Sequence, residues 1–147
     1  MSRSSDANYI TVVWTLAMIS TVAVSIATGD KTPMRLIIGL PLLGLGLILA
    51  VASALMLQKY APGLATEGPY AWSRHPFYLG LLIMQAGVVT SLGSLWGMIL
   101  LIISGCLSAA RAKLEEKELQ GLFPAEYASY KMRTPFFFGV SRYFEGR

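Results

Sequence analysis

Four apolar runs without a single Asp, Glu, Lys or Arg occupy more than half of this 147-residue chain. The first, "YITVVWTLAMISTVAVSIAT" (residues 9–28), is about the 20 residues that a helix rising 1.5 Å per residue needs to cross a hydrocarbon layer of about 30 Å. The second, "LIIGLPLLGLGLILAVASALML" (residues 36–57), is comparable. The third and fourth (residues 77–92 and 95–110) are shorter and are separated only by Gly93 and Ser94. A two-residue break admits nothing but a tight turn, so these runs predict an antiparallel helical hairpin. In lipid every backbone polar group must be satisfied internally, which selects helices for a chain of this pattern. The expectation is an all-α, polytopic membrane protein: one domain of four transmembrane helices, a loop over residues 58–76 and a polar helical tail over residues 111–147.

Composition agrees. Hydrophobic residues make up 54% of the chain and charged ones 14%, against roughly 25% charged in an average soluble domain. The net charge of +4 comes without any basic stripe interleaved with aromatics, so no nucleic-acid partner is expected. One cysteine, Cys106, excludes an intramolecular disulfide, and one histidine, His75, argues against a His-ligated metal centre; no metal is expected. The first apolar run is longer than a signal-peptide core and three more follow, so it reads as a retained helix. All of the Lys and Arg residues except Lys31 and Arg35 fall at the N-terminus, in the 58–76 loop or after the fourth run. The positive-inside rule therefore places both termini and that loop on the cytoplasmic face of a cell (inner) membrane.

Within the spans, small residues recur at every fourth position: Gly46, Ala50 and Ala54 in the second, Gly105 and Ala109 in the fourth. Such rows let helices approach closely in lipid. Pro41 is expected to kink the second helix, and Cys106 to pack as an apolar residue. Beyond the fourth span, Arg111 and Glu115 stand four apart and predict an i,i+4 ion pair near the bilayer surface. Glu116 and Lys117 read as solvated or structural. Pro124 interrupts the helix or opens a new one, with Tyr127 and Tyr130 three apart on it.

Two stretches carry chemistry. "RHPFYLG" stands at the start of the third run, and "EEKELQGLFPAEYASY" follows the fourth. Together they resemble the paired signature of the isoprenylcysteine carboxyl methyltransferase family and its phospholipid-methylating relatives. Arg74, His75, Pro76, Tyr78 and Gly80 match the first part; Glu115, Glu116, Leu119, Phe123, Tyr127 and Tyr130 match the second. Pro124 stands where that family usually has Gly. The resemblance spans about residues 62–135.

What it implies is a membrane-embedded methyltransferase using S-adenosylmethionine and releasing S-adenosylhomocysteine, without a Rossmann domain. Carried over by position, cofactor contacts fall to Pro62, Gly63, Leu64 and Ala65, to Tyr70, and to His75, Pro76, Phe77 and Tyr78. Glu115, Tyr127 and Tyr130 complete them, and Arg111 faces the methyl acceptor. The residue types suit these roles. Pro76 in the first helical turn leaves neighbouring N–H groups free for the cofactor carboxylate, which the helix dipole and His75 would reinforce. Glu115 suits ribose hydroxyls or the amino group, and Arg111 an anionic acceptor.

The expected partners are the lipid bilayer and a lipophilic acceptor. That acceptor is open between prenylated-cysteine carboxylates, phosphatidylethanolamine amines, small thiols and isoprenoid or fatty carboxylates. A gap between the third and fourth helices is the expected portal. Small four-helix membrane proteins often pair, which makes a homodimer an expectation as well. Two other classes compete: a non-catalytic membrane scaffold, and a small multidrug-type transporter. The transporter would need an intramembrane carboxylate, and the four spans have none.

Overall fold

The computed structural model describes residues 2–30 and 32–137. Lys31 and the tail beyond residue 137, both used in the charge argument above, lie outside the described residues. Six helices and no strand occur among them: α1 (Ser2–Thr28), α2 (Pro33–Tyr60), α3 (Pro69–Trp72), α4 (Pro76–Leu92), α5 (Leu95–Leu122) and α6 (Pro124–Arg133). Three helices are long and apolar enough to cross a membrane, namely α2, α5 and the Asn8–Thr28 part of α1. The third expected span, α4, has 17 residues, about 26 Å of helix at 1.5 Å per residue. It is shorter than the other three.

The packing places α4 at the centre, against α1, α2 and α5, while α1 and α2 do not touch. Contacts between residues fix the directions. Trp14 meets Tyr78 near the start of α4, and Gly29 lies against Leu92 at its end, so α1 and α4 run parallel. Trp14 Nε1 donates to Ser108 Oγ at 2.9 Å, Thr21 and Ser104 share a hydroxyl hydrogen bond at 3.1 Å, and Thr28 and Ser94 another at 2.7 Å. Thus α5 runs antiparallel to α1. The start of α1, the 61–75 segment, the end of α5 and α6 all gather at one end of the bundle. The opposite end carries the α1–α2 connection and the Gly93–Ser94 turn. That turn forms because Gly93 adopts a left-handed conformation (φ 63°) and Ser94 caps α5 by accepting from Gly97 N at 2.9 Å.

The α2–α4 seam is built from glycine. A Cβ on Gly46 would overlap the backbone of Met84, one on Gly87 that of Leu43, and one on Gly80 would come within 2.6 Å of Ala50 N. Gly46 and Ala50 therefore do what their spacing suggests, and Gly39 and Ser53 extend the buried stripe. Pro41 lies inside an unbroken α2.

The fourth span corrects two expectations. Its buried stripe is Gly97, Ser104, Ser108 and Ala112, one position off the Gly105–Ala109 row, and a Cβ on Gly105 would meet nothing within 4 Å. Cys106 is exposed on the outer surface rather than packed. The physical reason lies in the hydroxyls: Ser104 and Ser108 have partners on α1, whereas Gly105 and Cys106 have none to satisfy. Polar pairs across membrane helices contribute about 0.6 kcal/mol each. Ser104→Ala is accordingly expected to lower stability by about that amount in mixed-micelle unfolding; a loss several times larger would mean that Ser104 has another role.

Candidate functional site

At the end where the chain gathers, one carboxylate ties three elements together. Glu116 Oε1 lies 2.7 Å from Arg74 Nη1 and 3.2 Å from His75 Nε2, and Glu116 Oε2 lies 3.1 Å from Lys131 Nζ. Arg74 and His75 belong to the segment before α4, Glu116 to α5 and Lys131 to α6. Glu116 is buried, contrary to the solvated alternative in the sequence reading. A buried carboxylate is tolerated when cations and donors surround it, and removing any partner of such a group is costly.

A second clasp closes the same loop from above. Tyr130 Oη donates to Tyr70 O at 2.7 Å, Arg74 N donates to Pro135 O at 2.9 Å, and Ser73 Oγ donates to Phe136 O at 3.1 Å. The Phe136 ring stacks obliquely on His75 at 4.7 Å between centroids. Tyr127 and Tyr130 are both buried and meet edge to face at 6.0 Å. Burial, above all, holds both phenols above their ordinary pKa, so they stay neutral at physiological pH. The structure thus uses the Tyr130 hydroxyl to grip the loop backbone. Pro124 takes the first helical position of α6, where its missing N–H is no loss.

Beneath this clasp the remaining predicted residues converge. Tyr78 is buried in the first turn of α4, 6.0 Å from His75 and in edge contact with Phe77 at 5.8 Å. Glu115 lies close enough to Tyr70, His75 and Tyr78 for its charge to act on all three. Burial first, and Glu115 second, raise the Tyr70 phenol above its ordinary pKa. The expected Arg111–Glu115 ion pair is absent: Glu115 pairs with no cation among the described residues, and buried Arg111 Nη1 has no hydrogen-bond partner. Arg111 nonetheless acts on Tyr78. The N–H groups of Phe77 and Tyr78 open α4 without any side-chain cap, as first-turn donors awaiting an acceptor.

The loop before α3 forms a neighbouring wall. Tyr60 Oη donates to Glu67, closing the loop ends, and Gly63 N donates to Tyr60 O at 2.6 Å. Ala65 is buried, Leu64 partly so, and Pro62 and Gly63 are exposed. Leu64 borders an open polar cleft of about 500 Å³ with Glu126, Ser129 and Arg133 of α6. Of the predicted residues, Tyr70, His75, Tyr78, Glu115 and Arg111 thus lie near one another at this end of the bundle, with Phe77 against Tyr78. Pro76 starts the helix beneath them; Pro62 to Ala65 lie in the neighbouring loop.

Sequence reasoning missed Trp14, which packs edge to face on Tyr78 at 5.4 Å. It also missed the cavity that begins there. About 510 Å³ of almost wholly apolar groove runs between α1 and α4, lined by Trp14, Met18, Val22, Ala23, Met84 and Gln85 among others. Gln85 is buried; its Nε2 donates to Met18 O at 3.2 Å and its Oε1 has no partner. This groove lies between α1 and α4. No sequence signal marks it, because a groove wall and a packing face have the same composition. Among the described residues no cluster of His, Cys, Asp or Glu could hold a metal.

The sequence profile of the phospholipid methyltransferase family matches residues 34–126. The cobalt-zinc-cadmium resistance protein CzcN of Cupriavidus metallidurans is 34% identical over 113 residues, which cover 73% of this chain and 50% of that protein. The protein-S-isoprenylcysteine O-methyltransferase of Saccharomyces cerevisiae is 38% identical over 72 residues, covering 48% of this chain and 30% of the yeast protein. The chain thus spans half or less of the curated relatives it matches. No solved structure matches it.

Proposed function

Because the chain belongs to the phospholipid methyltransferase family, we propose that it transfers a methyl group from S-adenosylmethionine to a nucleophile carried by a membrane lipid. The observation that carries this reading is the Glu115 carboxylate, which pairs with no cation among the described residues and lies near Tyr70, His75 and Tyr78. A carboxylate without a cation, beside free helix N–H donors, suits a zwitterionic cofactor better than it suits an empty structural core. The residues fit the group. Glu115 takes the amino group or ribose hydroxyls, the Phe77 and Tyr78 N–H groups take the carboxylate, and Tyr70 and Tyr78 supply aromatic walls. Pro62 to Ala65 close the side nearest α6.

When bound, the cofactor supplies an electrophilic methyl on a sulfonium; the protein's part is binding, orientation and exclusion of water. The rings of Tyr78, Phe77 and Trp14 shield the space from the solvent side of the bundle. Arg111, with its partnerless Nη1, holds an anionic acceptor group in line. A carboxylate or thiolate acceptor in that position needs no general base. The lipid part of the acceptor lies in the α1–α4 groove, which begins at Trp14 beside Tyr78 and ends at Ile26, about 18 Å along the helix. The proposed setting is a cell membrane with both termini on the cytoplasmic side, so a water-soluble donor meets a bilayer-dissolved acceptor.

Ala23→Trp fills the groove without touching the cofactor residues. It is expected to lower methyl transfer to long-chain acceptors about tenfold or more, with S-adenosylhomocysteine binding unchanged. The check is labelled-methyl transfer to acceptors of graded chain length. An equal loss for short and long acceptors would remove the groove from the proposal.

A further inference from the structure

Around Glu116 two cations and an imidazole meet two oxygens, and the arithmetic of protons decides what His75 can recognise. Arg74 at 2.7 Å and Lys131 at 3.1 Å keep the Glu116 carboxyl ionised, and an ionised carboxylate only accepts. His75 Nε2, 3.2 Å from Glu116 Oε1, must therefore carry a proton. A neutral imidazole has only one, which leaves Nδ1 as a bare lone pair. No hydrogen-bond donor contacts Nδ1 among the described residues.

From this geometry we infer that Glu116 is a positioning residue: it fixes the Nε2–H tautomer of His75, so that Nδ1 selects a ligand N–H donor and not a carboxylate. The inference rests on the cofactor reading above and assigns the ends of that ligand. Glu115 lies near enough for its charge to act on His75; His75 Nδ1 and the Glu115 carboxylate, two acceptors, are together complementary to the α-ammonium group of the donor's amino-acid moiety. The carboxylate of that moiety goes to the N–H groups opening α4. This reverses the sequence expectation, in which His75 reinforced carboxylate binding.

The ring's neutrality follows from its surroundings. His75 is 3% exposed and is covered by Phe136 and Phe137. Burial is the largest influence and lowers its pKa below the ordinary value; Glu116 and Glu115 on α5 oppose this, and Arg74 beside it supports it. Lys131, Tyr127 and Tyr130 face the cluster from α6, Tyr70 from α3 and Tyr78 from α4. Arg74 and Lys131 already outnumber the Glu116 charge, so a second ring proton would add a further cation to a buried cluster.

His75 is the one histidine in the chain, so imidazole-¹⁵N labelling gives a spectrum that needs no assignment. Wild-type protein in lipid nanodiscs at pH 7.5 is expected to show a single neutral Nε2–H tautomer, persisting as pH falls through 6.5. Glu116→Gln offers one acceptor oxygen to three donors, so the Nδ1–H form should appear. Glu116→Asp should restore the wild-type pattern. In parallel, calorimetry compares S-adenosylhomocysteine with analogues lacking the α-amino or the carboxylate group. Loss of the amino group should weaken wild-type binding at least tenfold. In Glu116→Gln that penalty should shrink severalfold, while the penalty for losing the carboxylate stays. An imidazolium or an Nδ1–H ring in the wild type overturns the inference and leaves the cofactor reading intact if S-adenosylhomocysteine still binds. The expected tautomer without any binding by a folded wild type overturns the cofactor reading, and the amino-group selection falls with it.

Discussion

Glu115→Ala is expected to weaken S-adenosylhomocysteine binding by about 30-fold or more, because a hydrogen bond to a charged group contributes about 1.5–3 kcal/mol and each 1.4 kcal/mol is about a factor of ten. The residue pairs with no cation among the described residues, yet its charge reaches Tyr70, His75 and Tyr78. Removing it breaks no salt bridge that the fold uses, so the folded, monodisperse protein should survive with its melting behaviour nearly unchanged. Glu116→Ala should behave in the opposite way. It deprives Arg74, His75 and Lys131 of their shared acceptor, and a buried cation without its partner typically costs several kcal/mol. Calorimetric titration beside thermal unfolding separates the two. Unchanged affinity in Glu115→Ala would remove the carboxylate from the site and favour a scaffold that keeps the family's architecture without its ligand.

Gly87→Leu should have a large effect on stability. A Cβ there overlaps Leu43 N and lies 2.7 Å from Gly39 O and Leu43 Cα. These are backbone atoms, which cannot move aside as a side-chain tip can. Overpacking costs typically 1–3 kcal/mol and more where nothing yields, so a loss of at least about 3 kcal/mol is expected here. Gly105→Leu is the matched control. Its Cβ meets nothing within 4 Å, and a change on that surface should stay within about 0.5 kcal/mol. The two variants differ by the same atoms and both sit in apolar helices. Equal behaviour in unfolding from mixed micelles would mean that α2 and α4 do not meet along the glycine seam.

The sequence reveals helices by their length and turns by their chemistry. The third run ends one residue before Gly93 because Gly93 takes positive φ and Ser94 caps α5; both signals are local and both are readable. The direction in which a helix faces is a different matter. Ser104 and Ser108 bury while Gly105 and Ala109 do not, although both rows have the same spacing, since hydroxyls find partners on α1 that only tertiary structure supplies. Glu115 and Glu116 are neighbours about 100° apart around the helix, so one can face the ligand space and the other the clasp. Spacing cannot say which. That Glu115 lies near Tyr70, His75 and Tyr78 fits the pairing of the two motifs, whereas Trp14, Gln85 and the groove between α1 and α4 carried no motif at all.

The clasp over the loop also bears on how the protein is made. Ser73 and Phe136 are 63 residues apart in the chain, and Arg74 draws its backbone acceptor from Pro135. When residues 73–78 emerge from the ribosome, the carboxylates of α5, the tyrosines of α6 and these two tail carbonyls have yet to be synthesised. A nascent chain with its first two apolar helices inserted therefore owns half of each contact and no binding site. On the proposed function, affinity for S-adenosylhomocysteine in chains released at successive lengths should stay flat and then rise once residues 135 and 136 can fold back over residues 73 and 74.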